Sequence, residues 1–231
     1  MAETDETVRA ALYGLMSTQR AVRRLRPDPI PDDVLQRVLQ AAAWAPTGGN
    51  VQPWRIIVVR DPEVKAKLAD VYRPQWEAYA VGVRSRLEGQ PGFDASALDR
   101  TAIAGDHLAA HLHEAPAILV VCFDPRRLAV TDAGQDRVSV VGGGSIYPAV
   151  QNLLLACVAE GLGCTLTTLH CLDEPAVLEA LAIPAPWATA AMIPIGYPVG
   201  KGHGPISRRP LSELVYADTF RTPFEEAGPD A

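Results

Sequence analysis

Four arginines, Arg20, Arg23, Arg24 and Arg26, fall within seven residues of a chain whose formal net charge is −6. Guanidinium forks bind phosphate or carboxylate through two parallel, charge-assisted hydrogen bonds. The segment therefore reads either as an anion site or as a solvated loop paired with nearby carboxylates. Arg208 and Arg209 form a second basic spot near the other end of the chain. One dianionic phosphate held by both spots would fix a cofactor between the chain ends. Between them runs Ala45-Pro-Thr-Gly-Gly-Asn-Val-Gln-Pro-Trp54. Gly48 and Gly49 permit close backbone approach and positive φ. Thr47 and Asn50 offer side-chain donors and acceptors, and Pro53 keeps the chain extended. On composition the loop is a helix-to-strand turn; the same features suit a planar ligand.

Other chemistries find less support. Gly142-Gly-Gly-Ser145 opens a helix but is not a dinucleotide fingerprint, and Gly196-Tyr-Pro-Val-Gly-Lys201 is one residue short of a phosphate-binding loop. No GxSxG nucleophile elbow occurs. His107 and His111 lie one helical turn apart and could share a metal, but no HExxH is present, and His113 points elsewhere; a solvated helix face is the simpler reading. The acidic balance argues against a nucleic-acid partner, and no apolar run approaches the roughly 18 residues of a membrane span. The four cysteines, Cys122, Cys157, Cys164 and Cys171, form no CxxC pair and read as reduced core residues of a cytoplasmic protein.

The elements that must position these residues follow from pattern. Hydrophobic residues make up 48% and aromatics only 6%, so Ala, Val, Leu and Ile must build the core. A helix is expected over about 6–17, capped by Thr4 or Asp5, with Val8, Leu12 and Leu15 on one face. Asp32 and Asp33 open a second helix ended by Pro46. Strands are expected at 55–59, 117–122, 164–169 and 188–195, the last interrupted by Pro194 and so placed at an edge or strand end. Helices are expected over 62–80, 98–113 and 145–160, with a short one after Asp173. Residues 81–98 are weakly patterned and could form a mobile cover. The expectation is one α+β domain over 1–231, with a helical excursion or lid over about 73–113 and a poorly patterned tail over 200–231.

The order of Arg-rich loop, helix, proline-asparagine loop and strand resembles the FMN-dependent nitroreductase superfamily. Arg20-Ala-Val-Arg23-Arg24-Leu looks like that family's Arg-Ser-Val-Arg-x-Phe segment, and residues 45–54 are close to its Ala-Pro-Ser-Gly-Gly-Asn-x-Gln-Pro-Trp loop. Gln151-Asn-Leu-Leu-Leu-Ala156 with Gly161-Leu-Gly163, Ile195-Gly-Tyr-Pro198 and Arg208-Arg209-Pro210-Leu211 match its central helix, closing strand and tail.

The resemblance implies a central mixed, mainly antiparallel sheet flanked by helices, in an intertwined homodimer with FMN at the interface. By position, Arg20, Ala21, Arg23 and Arg24 would line the cofactor, with Arg23 near the N1–O2 edge of the ring. Arg208, with Arg209 beside it, would reach the phosphate. Pro46, Thr47, Gly48 and Asn50 would come from the partner subunit. Thr168 and Leu169 would place backbone groups at the N5 and O4 edge. NAD(P)H would deliver hydride to N5 and leave, and a nitroaromatic, quinone or related small-molecule acceptor would then take the electrons in a ping-pong scheme. Tyr72, Trp76, Tyr79 and Phe93 could stack on that substrate, with core packing as the alternative for Trp76. Ala21 stands where the family often has Ser, and His170-Cys171 where some members have Glu-Gly. No side-chain acid or base is nominated, because the flavin would carry the chemistry.

Overall fold

A four-stranded sheet in the order β1-β2-β4-β3 carries the molecule. The computed structural model describes residues 5–88 and 95–224. The strands are β1 (Trp54–Val59), β2 (Ala117–Phe123), β3 (Gly163–Cys164) and β4 (Ala188–Gly196), and every pairing is antiparallel. Side chains alternate across a strand, and β2 uses both of its faces. Ala117, Leu119 and Val121 join one core, whereas Ile118, Val120 and Cys122 join the other. The first core lies under α2 (Asp32–Ala43) and α5 (Tyr147–Ala159), through Val38, Leu153 and Ile193. The second lies under α3 (Pro62–Leu87) and α4 (Ala95–His111), through Leu68, Leu108 and Met192.

Local signals explain the helix starts. Asp5 caps α1 (Glu6–Thr18) by accepting from the Thr7 N–H at 2.9 Å. Asp61 caps α3 by accepting from the N–H groups of Glu63 and Val64. Asp32 and Asp33 sit in the first turn of α2, where they suit the helix dipole. Arg37 then ties that helix to Glu160 with a bidentate pair, both N···O distances 2.8 Å.

Several expectations change. The strand expected over 164–169 is paired only at Gly163–Cys164. Thr167 then makes an isolated bridge to Met192, and Leu169–Asp173 turns into a 3-10 helix. The alternating Thr and Leu have the right composition for a strand, but the chain leaves the sheet edge after Cys164 and touches it once more. α3 runs on to Leu87 instead of stopping near 80, and carries Pro74 within it. Arg84 near its end is ion-paired with Asp99 of α4, which supports the added turns. Strand β4, with its Pro194, is an inner strand; the proline is tolerated because its neighbour β3 pairs only with Ile195 and Gly196 and ends one residue short of it. Asp173 occupies the cap position of α6 (Glu174–Ala180) without a side-chain bond. Of the cysteines, Cys122, Cys157 and Cys164 are buried, but Cys171 is exposed. Phe93 lies outside the described residues.

Two segments have little beneath them in this chain. No residue of α1 is buried, and its Val8, Leu12, Tyr13 and Met16 are exposed. After Arg208 the described residues of the tail form the single turn α7 (Leu211–Leu214) and a Tyr216–Pro223 bridge. No helix among the described residues is long and apolar enough to cross a membrane.

Candidate active site

The site is built where the arginine segment meets the end of the sheet. The Val22 N–H donates to the Cys164 carbonyl at 2.8 Å, Arg26 N–H to Tyr197 at 2.7 Å, and Val199 N–H to Arg24 at 2.9 Å. Gly163 makes this approach possible: a Cβ there would lie 2.7 Å from Val22 Cγ1. Laced down on both sides, the segment presents the half-buried Arg23 to a cleft of about 210 Å³. Tyr72, Trp76 and Tyr79 of α3, Leu108 of α4 and residues 165–169 complete the lining. Among the described residues, the Arg23 guanidinium has neither an ion pair nor a hydrogen bond. A cation so placed is available to a ligand.

Thr167 fixes the opposite ledge, and sequence reasoning missed it. Its backbone N–H and carbonyl both bond Met192 at 2.9 Å. Its hydroxyl is hydrogen-bonded to Tyr72 and accepts from the Leu169 N–H at 3.3 Å. Burial pushes the Tyr72 hydroxyl up, against the opposing pull of Thr167 and Arg23, so the group stays protonated. The Leu169 N–H is thus directed at its own chain. The N–H of Thr168, by contrast, meets no acceptor among the described residues. The only signal for Thr167 in the sequence is a β-branched hydroxyl in an apolar run, which is too common to single out.

The remaining candidates fall into three places. Arg20 donates from Nε and Nη2 to the Gly202 carbonyl at 3.1 and 2.8 Å, and its backbone N–H donates to His203 Nδ1 at 3.3 Å. It therefore clasps the start of the tail. Arg24 and Ala21 are exposed and do not line the cleft. Arg208 donates to the neighbouring Ser207 carbonyl at 2.8 Å, and no described contact joins Arg208 or Arg209 to Arg20 or Arg23. The loop with Pro46, Thr47, Gly48 and Asn50 also lies away from this chain's cleft. It is self-organised: Thr47 Oγ1 accepts from Gln52 N–H at 3.1 Å, and Gly48 N–H donates to Ser145 Oγ at 3.0 Å. Gly49, Asn50 and Gln52 have φ of 58°, 55° and 48°. Two non-glycine residues held there store strain, a feature that concentrates at functional loops.

Trp76 proves to be both wall and core, at 7% exposure, whereas Tyr79 is 48% exposed. His107 stacks on His111 at 4.4 Å and hydrogen-bonds the Arg23 backbone, and His111 pairs with Glu114 at 3.0 Å. Burial, then His111 and Arg24, hold the His107 imidazole below its usual range. Among the described residues no three metal-ligating groups come together.

The antiparallel sheet thus lies between helical layers, with a cationic cleft at its edge. The Nitroreductase family model matches residues 16–197, and the chain belongs to that family. It is 33% identical over 203 residues to an NADH dehydrogenase of Thermus thermophilus, covering 85% of this chain and 91% of that one. It is 33% identical over 195 residues to a 5,6-dimethylbenzimidazole synthase of Rhodospirillum rubrum, covering 84% and 85%. A solved structure described as a nitroreductase in complex with FMN, from Desulfovibrio desulfuricans, superposes with a TM-score of 0.64 at 27% identity, covering 91% and 97%.

Proposed function

We propose that this protein is an FMN-dependent NAD(P)H oxidoreductase that reduces nitroaromatic, quinone or related acceptors, working as a homodimer. The observation that carries the reading is the unpaired Arg23 guanidinium, facing the same cleft as the free Thr168 N–H. A fixed cation and an unengaged backbone donor around a slot walled by rings suit a flat, electron-accepting cofactor. FMN bound there supplies two-electron chemistry, hydride acceptance at N5 and return of electrons to an acceptor. This chain's residues supply position and charge. Arg23 would stabilise negative charge on the bound ring without rearranging. Thr168 would donate a backbone N–H to it, held in place by Thr167. Tyr72 and Trp76 exclude water from one side. Among the described residues no Asp, Glu or His lines the cleft, so protons would come from solvent.

The cleft of one chain, about 210 Å³, is smaller than the roughly 300–1,000 Å³ usual for a ligand of this size. A second copy would complete it with Pro46, Thr47, Gly48 and Asn50, and in that assembly Arg208 would reach the phosphate, with Arg20, Ala21, Arg24 and Arg209 as further candidate cofactor residues. Purified protein is expected to be yellow, to sediment at twice the chain mass, and to bleach under NADPH or NADH without oxygen. Colourless protein that ignores added FMN rejects the reading.

The similarity to the benzimidazole synthase favours a second reading, a flavin enzyme of the same family with another reaction. Flavin that neither nicotinamide bleaches, with substrate oxidation coupled to oxygen, would select it.

A further inference from the structure

Beyond the redox cleft, α3 and α4 enclose a second chamber of about 150 Å³. The two spaces adjoin, with Arg23, Trp76 and Tyr79 lining both. Their shared wall is unequal. Trp76 is fixed by its bond to Asp106 and by the bare face of Gly105, where a Cβ would fall 1.9 Å from the ring. Tyr79 is half exposed, with its ring centroid 6.0 Å from that of Trp76 and no hydrogen bond to hold it among the described residues. The chamber behind is lined by Ala80, Val83, Leu98 and Ala102, with Thr101 adding a hydroxyl. Arg84 also reaches it but is already neutralised by Asp99.

We infer that this chamber is an acceptor subsite that takes an uncharged, apolar substituent of an aromatic quinone whose ring lies in the cleft. The inference rests on the oxidoreductase reading and adds the substrate class. The lining has small side chains and little polarity, so apolar atoms gain by entering. Among the described lining residues Arg84 is paired with Asp99, and Arg23 would be engaged by the cofactor on the oxidoreductase reading, so a charged substituent would gain little. A volume of about 150 Å³ holds about five methylene-sized groups at roughly 30 Å³ each. In the reaction one reduced nicotinamide gives a hydride and solvent gives a proton. The two quinone oxygens become hydroxyls, and the nicotinamide leaves oxidised.

The test is steady-state kinetics of the wild-type holoenzyme with 2-alkyl-1,4-naphthoquinones, from methyl to octyl. KM is expected to fall about fourfold per methylene over the first few carbons, as burial of each CH₂ implies, and to rise once the chamber is full. Ala102→Phe is expected to lower the kcat/KM ratio of the pentyl to the methyl compound at least tenfold; Ala80→Leu serves if that variant loses flavin. The nicotinamide half-reaction, followed without acceptor, separates the two levels of failure. An intact half-reaction with a KM independent of chain length, or a ratio unchanged in the variant, overturns the subsite alone. A flavin that no nicotinamide reduces overturns both.

Discussion

Trp76 Nε1 donates to Asp106 Oδ1 at 2.7 Å and so joins α3 to α4 across the wall of the cleft. The contact depends on Gly105, the residue before Asp106, whose missing Cβ leaves room for the indole. Gly105→Ala would place a methyl group 1.9 Å from Trp76 Cζ2, inside any allowed contact. The ring must shift, and overpacking of this kind costs about 1–3 kcal/mol. Denaturant unfolding of the variant is expected to show that loss, with the acceptor KM raised. Unchanged stability would mean that α4 moves away at no cost.

Arg23 carries the cofactor argument, so its removal is the most direct probe. Arg23→Gln keeps the stem and deletes the charge. Hydrogen bonds to charged groups contribute about 1.5–3 kcal/mol, so FMN affinity is expected to fall roughly 10- to 150-fold. Fluorescence titration of flavin-free protein reads the change, and circular dichroism checks that the fold is kept. A shift of less than about threefold would remove Arg23 from the site.

Much of this was legible in the sequence, for identifiable reasons. The strands at 117–122 and 188–195 announce themselves because both faces are buried, which leaves mostly apolar runs, broken in the second only by Thr189 and Pro194. The arginines and the 45–54 loop stood out because their residue types are rare together. Thr167 did not, because its role comes from one bridge to Met192 and a hydroxyl shared with Tyr72 and Leu169, all distant in sequence or turned by the backbone. Nor did the clasp of Arg20 on Gly202, a contact across 182 residues. Backbone groups were expected from both Thr168 and Leu169; the Leu169 N–H turns to Thr167 Oγ1, and that of Thr168 meets no acceptor among the described residues. A single 3-10 turn decides which N–H faces outward, and side-chain patterning does not encode that.

His170 predicts an acid sensitivity. It is completely buried, its Nδ1 has no partner among the described residues, and its Nε2 lies 3.5 Å from Cys171 Sγ. Burial pushes its pKa down to about 4, against a smaller upward pull from Glu174. The unfolded chain binds this proton near pH 6.5. The unfolded state therefore holds more protons between about pH 6.5 and 4, and stability falls as pH falls through that window. The contribution is present in full above pH 6.5 and amounts to about 3 kcal/mol. Thermal melts from pH 7.5 to 4.5 are expected to be flatter for His170→Gln than for wild type. Parallel profiles would show that His170 is protonated in the fold.

The tail offers the sharpest test of the dimer. Phe220 is 85% exposed and stacks only on Tyr216 at 4.5 Å, and no residue from Leu211 to Phe224 is buried. Trp44 and Val138 are likewise bare, at 73% and 84% exposure. Isolated chains rarely leave this much apolar surface in water. If the tail embraces a second copy, Phe220 is an anchor, and burying such a ring contributes about 1.5–3 kcal/mol. Phe220→Asp is then expected to weaken self-association at least tenfold in sedimentation equilibrium. Flavin occupancy should fall with it, because the cleft of one chain is too small to hold FMN alone. A variant that stays dimeric with full flavin would place the interface elsewhere and release the tail from the cofactor site.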